Sequence, residues 1–284
     1  MRTTRGGFTL VEAIIAMTLT SVLVILVATT FLVQNRYYAV QLARTTAQDN
    51  ARMVTEMVAS ELRALTDSAV VVAANRQLVV RSPIVMAVVC AQLSSPNRIV
   101  VQMDGGEAAL PTSEITGFGV LSSTGRWSYY DITGWSRIAS SGPHEAADCY
   151  ANGADTVGIT GDFKRLERIN TYHGSWPANG TVMMLYRTVE YKIQTSTMDP
   201  TTLGLFRGPY GGTLVELATG LDSSSGFLYR TGGSSYSAPV TGAANLGKID
   251  AIRIVAQART RPQTGGTQDV TYGWGVNVHL RNGR

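Results

Sequence analysis

One carboxylate stands inside an otherwise apolar run. Glu12 is the single charged residue between Phe8 and Val33, in the stretch FTLVEAIIAMTLTSVLVILVATTFLV. A charge within a membrane helix costs roughly 2.5–3.5 kcal/mol on insertion scales, so such a residue calls for a partner or a task. Two arrangements answer that cost: a cationic group beside it, or burial as the neutral acid. A cut between Gly7 and Phe8 would create an α-amino group one helical turn from Glu12, and an amine of this chain or of a neighbour is its natural counter-ion. The other reading is a signal-anchor helix that tolerates a carboxylate near the lipid headgroups.

The remaining reactive residue types give little chemistry. His144 and His173 lie among Gly, Pro and Ser, and His279 falls on the polar side of an alternating segment, so all three read as loop or surface residues. His144 and Cys149 are five apart, but no third member of a catalytic set accompanies them. No GxSxG, HExxH, Walker A or GxGxxG string occurs; Gly117-Phe118-Gly119 lacks the third glycine, and Gly174-Ser175-Trp176 lacks the elbow. Asp104-Gly105-Gly106-Glu107 and the carboxylates from Asp148 to Asp162 lack the oxygen-ligand spacing of a calcium loop and read as turns. The expectation is a protein without a catalytic residue, metal or cofactor of its own.

Cys90 and Cys149 are the only cysteines. In an exported region an even pair without CxxC or histidine spacing points to a bridge, with two separate buried thiols as the other arrangement. Closing a loop of about 60 residues would contribute roughly 4 kcal/mol in the chain-entropy model.

The segment that positions Glu12 is a helix long enough to cross a bilayer. Its 26 residues from Phe8 to Val33 extend roughly 39 Å at helical rise. Seven residues carrying Arg2 and Arg5 precede it, so the N-terminus is expected to stay cytoplasmic and the rest to be exported, although Arg36 and Arg44 beyond the other end temper the bias. The apolar run exceeds a secretory signal core, and Val27–Gln34 offers no A-x-A cleavage site.

The pattern continues past the apolar run. Only Gly6 and Gly7 of the 29 glycines precede Gly105, and the first proline is Pro83, so no breaker interrupts Phe8 to Asp67. Ala47, Ala51, Val54, Val58, Leu62 and Leu65 recur at helical spacing and form one face, while Arg44, Gln48, Asn50, Arg52, Glu56 and Arg63 form the opposite one. A helix with no Pro-type kink, membrane-buried first and amphipathic later, is expected to turn its apolar stripe toward a globular head.

Beyond residue 67 the period changes to that of strands. AVVVA (69–73) and QLVVR (77–81) suggest a hairpin, which IVMAVVCAQL and RIVVQM continue. Val189, Tyr191 and Ile193, then Ile252, Ile254, Ala256 and Ala258, then Val270, Tyr272, Trp274, Val276, Val278 and Leu280 each alternate with polar or small residues. The expected fold class is α+β, a long N-terminal helix on a mainly antiparallel sheet. The Gly-, Ser- and Thr-rich stretches 105–180 and 208–247 read as loops and short strands. Trp127, Tyr129, Tyr130 and Trp135 could offer an adhesive surface, but alternating aromatics in strands more often pack. The expected division is a leader at 1–7, a membrane segment at 8–33, an amphipathic continuation at 34–66 and an exported head at 67–284.

Composition excludes several classes. With 44% hydrophobic and 15% charged residues among 284, the chain is neither a disordered acidic nor a polybasic polypeptide. Without Arg2 and Arg5, 22 of the 24 basic side chains face 20 acidic ones, and they do not cluster, so nucleic-acid binding is unsupported.

The string Gly7-Phe8-Thr9-Leu10-Val11-Glu12, after a short basic leader and before an apolar helix, resembles the cleavage and methylation signature of type IV prepilins and pseudopilins. The resemblance implies cleavage after Gly7 by the membrane-embedded prepilin peptidase, N-methylation of Phe8, and pairing of Glu12 with a neighbouring N-terminal amine during assembly. It implies as partners other major and minor pilins or pseudopilins and an inner-membrane assembly platform. The location implied is a single-pass inner-membrane protein with its head in the periplasm or at the cell surface, then a filament.

The later segments QDNARMVTEMVASELRAL, TVMMLYRTVEYKI, LGLFR, IDAIRIVAQAR and the closing Leu280-Arg281-Asn282 resemble PilW-like minor pilins and the J-type minor pseudopilins of type II secretion. About half of the chain carries these likenesses; 105–180 and 208–247 do not. A minor pilin that helps start or cap a fibre is therefore expected. The alternatives are a minor pseudopilin, or a singly anchored envelope protein or hydrolase outside any filament.

Overall fold

The structure, a computed structural model, describes residues 9–66, 68–93, 98–103, 114–122, 125–137, 165–171, 177–260 and 269–280. Helix α1 (Leu10–Leu62) runs for 53 residues without interruption. The absence of Gly and Pro explains this: each residue supplies a backbone donor, and none relaxes or blocks the helical backbone.

Only the second half of α1 is covered. Ala43, Ala47, Ala51, Val54, Thr55, Val58, Ala59 and Leu62 are buried. In the first half the large apolar side chains lie open, Ile25 at 62% and Phe31 at 68% exposure. The stripe read from the sequence is buried throughout, and Arg44, Gln48, Arg52, Glu56 and Arg63 are exposed, with Asn50 half-buried. Buried Thr55 returns its hydroxyl to the carbonyl of Ala51 (3.0 Å), which satisfies the polar group inside the packed face.

The strands are β1 (Val70–Ala73), β2 (Gln77–Leu93), β3 (Arg98–Met103), β4 (Gly117–Leu121), β5 (Trp127–Arg137), β6 (Arg165–Thr171), β7 (Val182–Thr195), β8 (Leu203–Pro209), β9 (Val215–Leu221), β10 (Gly226–Thr231), β11 (Ile249–Thr260) and β12 (Val270–His279). A short helix α2 (Ala243–Leu246) precedes β11. Every pairing between these strands is antiparallel.

Two cores share the central strands. The larger joins Ala47, Ala51, Val54, Val58 and Leu62 of the helix to Tyr191 and Ile193 of β7, Leu205 of β8, Ile252, Ile254, Ala256 and Ala258 of β11 and Val278 of β12. The smaller gathers Ala87, Val89, Val101, Ile115, Phe118, Met183 and Leu185. It fills a ring of six strands, β2-β3-β6-β5-β4-β7, closed by the pairing of β7 back onto β2.

The register explains how β2 serves both cores. It pairs with β7 from Gln77↔Lys192 to Val88↔Val182, and the register shifts between Pro83 and Val85. The extra residue is a bulge, where a proline without an N–H is tolerated in a paired strand. Before it Leu78 and Val80 point into the larger core; after it Ala87 and Val89 point into the ring. Without the bulge the alternation would turn one of these sets toward solvent.

The aromatic residues between 127 and 130 pack. Tyr130 stacks on Phe118 with ring centres 5.2 Å apart, and Tyr129 meets Tyr186 edge-on at 5.3 Å. Arg81 lies over the Tyr129 ring at 4.8 Å. The side chains of Cys90 and Trp135, and all of Cys149, His144, His173, Asp104–Glu107 and Asp148–Asp162, lie outside the description.

Candidate functional site: the N-terminal helix and its docking onto the head

Thr9 ends the extended entry into α1 with φ −75° and ψ 150°, and it caps the helix. Its backbone N–H and its hydroxyl each donate to Glu12 Oε2 at 2.9 Å, and the Glu12 N–H donates back to Thr9 Oγ1 at 3.3 Å. This reciprocal capping box satisfies donors that the first turn leaves open, and it sets an anionic group where the helix dipole favours one. All its atoms belong to residues 9 and 12, so cutting the chain before Phe8 leaves it whole. Gly7 and Phe8, the positions expected for cleavage and methylation, lie outside the described residues; Leu10 and Val11 are exposed in the first turn.

From Leu10 to Val33, Glu12 is the only ionisable residue. The other polar side chains in this stretch are hydroxyls, and each returns to its own helix: Thr18 to Ile15 O (2.9 Å), Thr20 to Ala16 O (2.7 Å), Ser21 to Thr18 O (2.8 Å), and Thr29 and Thr30 to Leu26 O (2.9 and 2.8 Å). With backbone groups paired along the helix and hydroxyls satisfied internally, the segment meets the condition for crossing hydrocarbon. It is long and apolar enough to do so.

At its other end the helix is tied to the sheet by a cluster the sequence did not reveal. Glu61 receives Arg207 of β8, with Arg207 Nη2 at 3.0 Å from Oε1, and also accepts the hydroxyl of Tyr191 on β7. Arg207 lies over the Tyr191 ring at 5.9 Å. Burial pushes the Tyr191 phenol well above the usual tyrosine range, and its hydrogen bond to Glu61 and the negative charge there push the same way. Thr66, just past the helix, is hydrogen-bonded to Tyr129 of β5, so the helix end also holds the six-stranded ring.

His279 is exposed at the end of β12 beside Arg230, with Nδ1 3.3 Å from Nη2; Arg230 is itself paired with Asp250 at 3.1 Å. Among the described residues no group of three or more His, Cys, Asp or Glu side chains gathers as a metal site.

Residues 2–28 match the family model described as the prokaryotic N-terminal methylation motif. The match covers the leader, the Gly7–Glu12 string and most of the apolar half of α1, and it supports the type IV pilin and pseudopilin family. The chain therefore carries a prepilin-type N-terminus on a single-pass membrane anchor, joined to an α+β head. No curated protein and no solved structure matches the chain.

Proposed function

We propose that this chain is a minor pilin of a type IV pilus, without catalysis of its own, that takes part in initiating or capping the fibre. The prepilin peptidase cuts after Gly7, Phe8 is N-methylated, and α1 then leaves the membrane to pack beside neighbouring helices. Glu12 exchanges its Thr9 contacts in part for the N-terminal amine of an adjacent subunit, and the head from 67 onward supplies contacts to other subunits or cargo.

The observation that carries this reading is the division of α1: a bare apolar half with one carboxylate in its first turn, continuous with a half docked on a head. A subunit of a helical bundle needs both, and the methylation motif at 2–28 supports that use. A minor pseudopilin of a secretion system shares these features.

The test is Glu12→Ala in the full chain. The variant is expected to insert in the membrane and fold as before, yet to be missing from assembled fibres. Incorporation at the normal level would refute the pairing role. Recovery of the unaltered protein with sheared surface fibres assigns it to a pilus, and recovery only with envelope membranes assigns it to the secretion or anchored-protein alternatives.

A further inference from the structure

Between the apolar half of α1 and its docked half lies a bare collar. Val33 ends the apolar run, and Ala43 is the first buried residue of the helix. Arg36, Tyr37 and Tyr38 lie between them, consecutive on the helix and so spread around more than half its circumference. Tyr37 and Tyr38 are each 67% exposed and, among the described residues, stand outside the core that the helix shares with the head. An amphipathic ring on an apolar stem suits the boundary between hydrocarbon and water, where tyrosine is enriched and a long cationic side chain reaches the phosphates.

The length of the helix then fixes the other end. Glu12 and Tyr37 are 25 residues apart on an unbroken helix, about 37 Å. The hydrocarbon layer is about 30 Å thick, and about 40–45 Å with both headgroup layers. Upright, the helix overshoots the hydrocarbon by several ångströms; only at a tilt of about 37° would both residues be drawn to its edges. Membrane helices tilt on average by about 20°.

We infer that, before assembly, Arg36, Tyr37 and Tyr38 hold the outer headgroup layer of the bilayer while Glu12 sits hydrated in the inner one. The cost that the sequence assigns to a carboxylate in an apolar run is then not incurred in the membrane. It arises only when the subunit enters a fibre, where lateral helices replace the water around the carboxylate and a neighbouring amine has to make up for it. The membrane stores the subunit with its carboxylate solvated, and desolvation at entry makes Glu12 selective for a site that offers a cation.

The inference rests on the membrane-spanning reading, and the test separates the two. Spin labels are attached in turn at Ala13→Cys, Ile25→Cys and Ala39→Cys of the full chain, each beside rather than at the residues in question. The protein is reconstituted in phosphatidylcholine and phosphatidylglycerol vesicles, with the unsubstituted protein as the blank for Cys90 and Cys149. Relaxation by dissolved oxygen reports lipid, and relaxation by a water-soluble nickel chelate reports water.

The ratio of chelate to oxygen effect at 13 and at 39 is expected to exceed that at 25, because 25 lies near the middle of the hydrocarbon layer. A lipid-like ratio at 13 alongside a lipid-like ratio at 25 overturns the inference while leaving the membrane span intact. A water-like ratio at 25 overturns both. Tyr37→Leu with Tyr38→Leu is expected to draw the label at 39 into lipid; an unchanged ratio there removes the collar from its role.

Discussion

Glu61, in the last turn of α1, and Arg207, in β8, are 146 residues apart in sequence and joined by hydrogen bonds of 3.1 and 3.3 Å to one carboxylate oxygen, with the second oxygen 3.0 Å from the same guanidinium. The hydroxyl of Tyr191 meets the same carboxylate. The pair fixes the end of the helix against two adjacent strands. It converts a non-directional apolar contact between stripe and sheet into one with a defined orientation.

Glu61→Ala leaves half-buried Arg207 and fully buried Tyr191 without this acceptor. The side chains of Glu61 and Arg207 are 30% and 24% exposed, so water recovers part of the loss. A destabilisation of about 1–2 kcal/mol is expected, which for a head of this size lowers the melting temperature by roughly 2–8 °C. Thermal melts of the full chain in detergent measure it, and an unchanged melting temperature would show that the apolar stripe alone holds the helix.

Gly117 closes the six-stranded ring. It pairs with Tyr186 on one side and Asp131 on the other, and a Cβ built there runs into the Tyr186 hydroxyl and the Tyr130 carbonyl oxygen. Because backbone cannot yield as a flexible side chain can, Gly117→Ala is expected to cost about 1–3 kcal/mol. Hydrogen exchange should show the loss concentrated in β4, β5 and the first half of β7, with α1 and β11 retaining their protection. Uniform loss across the head would mean that ring and helix core open together.

Leu205 is fully buried in the larger core. Leu205→Ala leaves a cavity between helix and sheet and is expected to destabilise by about 2–5 kcal/mol. Chemical denaturation should show a lower midpoint with the slope nearly unchanged.

Tyr186, Tyr191 and Tyr229 give the head an alkaline limit. Burial holds each phenol well above its ordinary range, reinforced by Asp131 at Tyr186 and Glu61 at Tyr191. The unfolded chain releases these protons near pH 10, whereas the folded chain keeps them. The stability gained by holding them is complete below about pH 10 and is lost as pH rises toward the folded values. Denaturation midpoints at increasing pH, followed by phenolate absorbance, should fall above that point, and the three tyrosines should ionise only on unfolding. Their titration in the folded head with ordinary values would contradict the burial.

Sequence and structure agree where the signal is local. The stripe from Ala47 to Leu65 is legible because a helix repeats its face every three to four residues, and the alternation from Val270 to Val278 because a strand does so every two, although Trp274 on that face is 40% exposed. The hairpin of β1 and β2 followed from two apolar runs around Ala74, Asn75 and Arg76. The ring was not legible: β4 closes onto β7 across more than sixty residues, and nothing near Gly117 or Tyr186 names the other. The near-continuous apolar run of β2 hid its bulge, because one strand there serves two cores. Nothing in the helix sequence singles out Glu61, since its partners are set by topology rather than spacing. Glu12 was legible because its surroundings, not its partners, make it exceptional.

Assembly into a fibre depends on processing at the N-terminus, which mass spectrometry of the N-terminal peptide from an envelope fraction reads out. The expected peptide begins at N-methylated Phe8, with residues 1–7 removed. A chain retaining Met1, or one cut beyond Val33, would contradict it and return the head to a protein that is anchored or released without entering a fibre.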